Sequence, residues 1–95
     1  MGKKLAPVHL GEVLSEDFLR PKNLSAYAVA RACGVPRTRI ERLLREQTPV
    51  IANTALRLAK YFGTTPAFWM GTQAQYDLKR VEDEVSAEIK HSDDV

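Results

Sequence analysis

Leu24-Ser25-Ala26-Tyr27-Ala28-Val29-Ala30-Arg31-Ala32-Cys33-Gly34-Val35-Pro36-Arg37-Thr38-Arg39-Ile40-Glu41-Arg42-Leu43-Leu44-Arg45 reads as two short helices joined by a tight turn. Ser25 is placed to cap the first helix, because its hydroxyl can accept from a backbone N–H one turn on. Gly34 stands where that helix must stop and reverse, a position that favours positive φ. Pro36 suits the first turn of the second helix, where its missing N–H costs nothing. Ala30, four residues before Gly34, is small enough to let the helices cross closely. Val29, Cys33, Val35, Ile40 and Leu43 supply the inward positions. Turn, small residue and apolar spacing agree on a helix-turn-helix, the arrangement that lays its second helix in the major groove of DNA.

That second helix carries Arg37, Arg39, Arg42 and Arg45. Ile40, Leu43 and Leu44 define its buried side. Thr38, Glu41, Arg42 and Arg45 point away from Ile40, Arg39 is lateral, and Arg37 lies in the first turn. Arginine there can bond guanine O6 and N7 together, which discriminates by about 1–3 kcal/mol. Glu41 can accept from a cytosine amino group, or it can pair with Arg37 or Arg45, four residues to either side. Arg45, at the helix end, suits a phosphate, a contact that positions without specifying. Four arginines can also be a solubilising face, but the agreement of turn and spacing favours DNA.

Around this pair the chain has 95 residues, enough for one domain with a modest core. Its net charge of +2 conceals an asymmetry. Residues 82–95 hold six acids (Glu82, Asp83, Glu84, Glu88, Asp93 and Asp94) against Lys90, a net of −5, which leaves +7 on residues 1–81. A basic body suits a polyanion, and an acidic tail suits solubility or a basic protein partner. The single cysteine forms no internal disulfide, and no apolar run resembles a signal or membrane span, so a cytoplasmic protein is expected.

Residues 1–8 lack periodicity and read as a flexible arm. Leu10, Val13, Leu14 and Phe18 share a face of a first helix, about Leu10 to Leu19, which Pro21 stops. A fourth helix runs from about Ala52 to Phe62, with Ala55, Leu56, Leu58, Ala59 and Phe62 buried and Gly63 at its end. Thr64-Thr65-Pro66 starts a fifth, whose largest anchors are Phe68 and Trp69. Leu78, Val81, Val85 and Ile89 then form a narrow apolar seam on a charged segment, which suits a partner helix. The division is thus an arm (1–8), a helix-turn-helix domain (9–80) and an acidic helical extension (81–95). The fold class is all-α, with five helices. Cys33, His9 and His91 lack ligand spacing, and Cys33 reads as a core residue. No nucleophile–base constellation or phosphate loop is present, so neither enzyme activity, a cofactor nor a metal is expected.

Gly11-Glu12-Val13-Leu14, Asp17-Phe18-Leu19, Tyr27–Ala32, Gly34–Arg37, Thr54–Ala59, Phe62-Gly63-Thr64, Pro66–Trp69 and Gln73-x-x-Tyr76-Asp77-Leu78 together resemble the HigA-type antitoxins. These belong to the XRE class of repressors with a five-helix, phage-repressor-like fold. The resemblance covers roughly residues 8–80, and its specific part is the Phe62-Gly63-Thr64 and Pro66-x-Phe68-Trp69 block with the following Gln73-x-x-Tyr76-Asp77-Leu78. It implies a type II toxin–antitoxin module. Such proteins neutralise a HigB-type toxin, a small basic ribonuclease that cuts mRNA on the ribosome. As dimers they bind a palindromic operator in double-stranded DNA and repress their own transcription. Base contacts would then fall on Arg37, Thr38, Glu41 and Arg42, with Arg39 and Arg45 more peripheral. Three positions depart from the pattern: Leu10 replaces a proline, Ala26 a phosphate-clamping glutamine, and Ile51 a capping threonine, for which Asn53 or the backbone can substitute. The same residues also suit two alternatives: a repressor without a toxin partner, and a toxin-inhibiting module with little DNA binding.

Overall fold

The computed structural model describes residues 8–93, and these form five helices and no strand. α1 covers residues 10–22, as α-helical Leu10–Val13, π-helical Leu14–Leu19 and α-helical Arg20–Lys22. α2 is Ala26–Cys33, α3 Arg37–Leu44, α4 Ala52–Phe62 and α5 Pro66–Asp93. The expected arm lies outside the described residues except for Val8, which is half exposed.

The helix ends follow from one local device. α1 to α4 are each closed by a residue in the left-handed conformation: Asn23 (φ 54°), Gly34 (φ 72°), Glu46 (φ 60°) and Gly63 (φ 73°). The next amide in each case returns to a carbonyl five residues back. The pairs are Leu24 to Leu19 (2.9 Å), Val35 to Ala30 (3.0 Å), Gln47 to Arg42 (2.9 Å) and Thr64 to Ala59 (3.0 Å). Orphan carbonyls are thereby satisfied while the chain reverses within two residues. Glycine and asparagine adopt this conformation readily. Glu46 does so at a cost of roughly 1–2 kcal/mol.

Pro21 does not stop α1. Arg20, just before it, already bonds in the wider π register, to the Ser15 carbonyl. The proline therefore enters where the regular α ladder has been left, and the helix ends two residues later at Asn23. Pro36 also differs from expectation by one position: it is the N-cap of α3, with extended ψ of 144°, and Arg37 is the first helical residue. Ser25 and Thr65 cap α2 and α5 as their chemistry suggests, accepting from the amides of Ala28 and Phe68 at 3.1 Å each.

Leu10, Leu14, Val29, Ile40, Leu43, Leu58 and Trp69 are the large side chains at the centre of the core. Trp69 joins α5 to α1 and α4. Its ring lies 5.0 Å from Phe18, which is 4.9 Å from Phe62, and its Nε1 donates to Thr64 Oγ1 at 2.7 Å. Phe68, expected as a second anchor, is instead on the rim, 39% exposed. Leu56, expected inside, is 58% exposed. It sits about one helical step, roughly 100°, from the line of Ala55, Leu58, Ala59 and Phe62. Tyr61 is exposed as well. α5 has 28 residues, so it spans about 42 Å. It passes residue 80 without a break, and residues 82 and 84–89 are all exposed.

Gly11 sets the spacing between α1 and α3. It is buried, and a methyl group added to its Cα would overlap the carbonyl oxygen of Leu43. Gly11→Ala should therefore destabilise the fold by about 1–3 kcal/mol in urea denaturation, the usual cost of overpacking a filled contact.

Candidate nucleic-acid interface

α3 is fixed by Ile40 and Leu43, both fully buried, which turns its other residues outward. Arg37, Thr38, Arg42 and Arg45 are exposed, and Arg39 and Glu41 are half-buried. All six expected contact residues thus lie on or beside the open side of the helix. Arg37 Nε reaches Glu41 Oε2 at 3.3 Å, so Glu41 pairs with Arg37 in the free chain. An exposed i,i+4 pair of this kind contributes only about 0.3–0.5 kcal/mol. It holds Arg37 along the helix yet yields readily to a competing acceptor.

A hollow of about 410 Å³ separates α3 from the segment leading into α4. Pro36, Thr38, Arg39 and Arg42 form one wall, and Thr48, Pro49, Ile51 and Thr54 the other. α4 begins here, with Ile51 as an N-cap that offers no side-chain acceptor. Asn53 does not take over that task. Its Oδ1 accepts from Arg57 Nε at 2.9 Å instead. The first amides of α4 are left uncapped beside two arginines, a setting that favours an anion such as a backbone phosphate. At the start of α2, Ala26 packs against the core, so this position presents no polar group to DNA. Tyr27 is exposed there, its hydroxyl accepting from Arg31 Nη1 at 3.2 Å.

Several supports were not evident from the sequence. His9 caps α1, its Nδ1 accepting from the Gly11 amide at 2.8 Å, and its ring meets Tyr76 edge-on at 4.8 Å. Gln73 on α5 accepts from the Val50 amide through Oε1 at 3.2 Å and donates through Nε2 to Asp77. It thereby anchors the segment between α3 and α4. Histidine is not among the usual N-cap residues, and the Val50 amide that Gln73 holds lies 23 residues away. Cys33 is in the core, as expected. Burial pushes its thiol pKa above the ordinary value, and the nearby positive charge of Arg57 only partly opposes this. Along α5, Leu78 (67%), Val85 and Ile89 are exposed, and Val81 is half-buried. Among the described residues, nothing covers this apolar seam.

The helix-turn-helix family pattern matches residues 16–69. The chain is 46% identical to virulence-associated protein I of Dichelobacter nodosus, an alignment covering 85% of this chain and 76% of that protein. It is 34% identical to antitoxin HigA-1 of Vibrio cholerae, covering 92% and 82% of the two chains. Among solved structures, antitoxin GraA in complex with its operator superposes with a TM-score of 0.84 at 39% identity, covering 97% of this chain and 93% of that one.

The raised pKa and burial of Cys33 make its thiol unreactive in the native state. Labelling by a disulfide reagent at pH 8 should be slow in buffer and fast in denaturant; prompt labelling of the folded chain would contradict its place in the core.

Proposed function

The chain belongs to the helix-turn-helix family of the HigA-type antitoxins, and on that premise we propose that it is an antitoxin that also represses its own transcription. The observation that carries this reading is the outward arginine face of α3 on a buried Ile40–Leu43 base, in a chain similar to an antitoxin known in complex with its operator. Arg37, Thr38, Glu41 and Arg42 read bases in the major groove. Arg39 and Arg45 hold phosphates at its edges, and the uncapped start of α4 adds a further phosphate contact. The Arg37–Glu41 pair opens as guanine and cytosine edges replace each partner.

The operator is a palindrome bound by a homodimer. Leu78, Val81, Val85 and Ile89 of the two copies cover one another, which removes the exposed apolar seam from water. Two α3 helices then stand about 34–36 Å apart, one turn of DNA. The partner protein is a small basic HigB-type toxin, an mRNA-cleaving enzyme. The net charge of −5 on residues 82–95 complements such a surface. This assembly works in the cytoplasm, where both its operator and its toxin are found.

In a gel shift on the promoter of its own gene, Arg42→Ala should reduce discrimination against unrelated DNA by about 1–3 kcal/mol. Unchanged discrimination would remove α3 as the reader. In sedimentation, the native chain should be a dimer and a folded Leu78→Asp variant a monomer. A monomeric native chain would exclude the seam as the dimer interface.

A further inference from the structure

We infer that Arg57, on α4, is a positioning residue for DNA reading: it ties the end of α2 to α4 and so sets the angle at which α3 meets the groove. The inference rests on α3 being the reader. Arg57 lies outside α3, and its side chain is already committed within the chain. Nη1 donates to the carbonyl of Cys33 at 2.8 Å, and Nε donates to Asn53 Oδ1 at 2.9 Å. Cys33 is the last residue of α2, so its carbonyl is one of the orphans at that helix end. The amides of Gly34 and Val35 answer the Arg31 and Ala30 carbonyls. Arg57 answers the Cys33 carbonyl and adds a positive charge at the negative end of α2. A return contact runs from Cys33 Sγ to the Arg57 carbonyl at 3.7 Å.

The guanidinium also lies against the turn itself. A methyl group on Gly34 would come within 3.1 Å of Nη1. Gly34 and Pro36 are the hinge between α2 and α3, so a group that fixes Gly34 fixes the direction in which α3 leaves. Asn53 orients the guanidinium from one turn earlier on α4. A lysine has no such planar fork and cannot serve both acceptors in this geometry.

The test uses the full chain and a duplex carrying its own promoter. Arg57→Met should weaken binding about tenfold, because the loosened α3 must then be aligned at the expense of binding free energy. The slope of log K against log salt should stay unchanged, because no phosphate contact is lost. Hydrogen exchange should quicken at the Gly34 and Val35 amides while amides inside α4 keep their protection. Asn53→Ala, which frees Nε but keeps the charge, should give the same pattern at smaller amplitude, and it decides alone if Arg57→Met fails to fold. Unaltered affinity overturns the inference. So does a salt slope reduced by about one unit, which would make Arg57 a phosphate contact, and so does a uniform rise in exchange, which would mean a purely global loss of stability. A native chain that fails to bind the duplex overturns the DNA reading itself, a result distinct from these three.

Discussion

The backbone of α1 at Gly11 lies so close to the carbonyl of Leu43, near the end of α3, that there is no room between them for a side chain. The distance at which the recognition helix stands from the scaffold depends on that contact. A side chain at Gly11 would push α3 outward, and Ile40 and Leu43 would lose their fully buried places. His9 caps α1 two residues before the contact, and Tyr76 of α5 packs on the imidazole. α1 is thereby held in position where it touches α3.

From this contact the remaining supports divide the task of holding α3 along its length. Arg57 engages the turn before it, and Gln73 holds the segment after it through the Val50 amide. Both supports come from helices later in the chain, α4 and α5. Trp69 locks those two helices to each other and to Phe18 of α1. The result is a short helix with one face immobilised and the opposite face carrying arginines into water. Such rigidity matters for base reading, because hydrogen bonds to base edges discriminate only when donors are held in place. By contrast, the apolar seam from Leu78 onward is not covered by any of the described residues, and α5 carries it along an exposed length.

The features legible in the sequence are those whose cause is local. Ser25 and Thr65 cap because a hydroxyl precedes a helix, and Gly34 and Gly63 turn because they lack a Cβ. The inward residues of α2 and α3 follow from spacing, and so do the outward arginines. Features that depend on tertiary context are not legible in the same way. The π-helical turn that lets α1 run past Pro21 has no sequence signature, and the left-handed Glu46 runs against its own preference. Leu56 and Phe68 are hydrophobic yet lie off the buried line. Asn53 looked like a cap and serves Arg57. Gly11, Arg57 and Gln73 belong to the stretches that carry the family resemblance, but their structural roles are not legible there because the partner that gives each its role is far along the chain, 24 residues away for Cys33 and Arg57 and 23 for Val50 and Gln73. The candidate interface was thus readable as a face, while the contacts that aim it were not.

The measurement that bears most directly on this account is guanine-methylation protection on the duplex promoter of the gene, with the full chain bound. A rigidly aimed pair of recognition helices predicts protection of major-groove N7 atoms in two patches on one face of the DNA, about 34–36 Å apart between centres. A single patch, patches on opposite faces, or no N7 protection despite binding would contradict it.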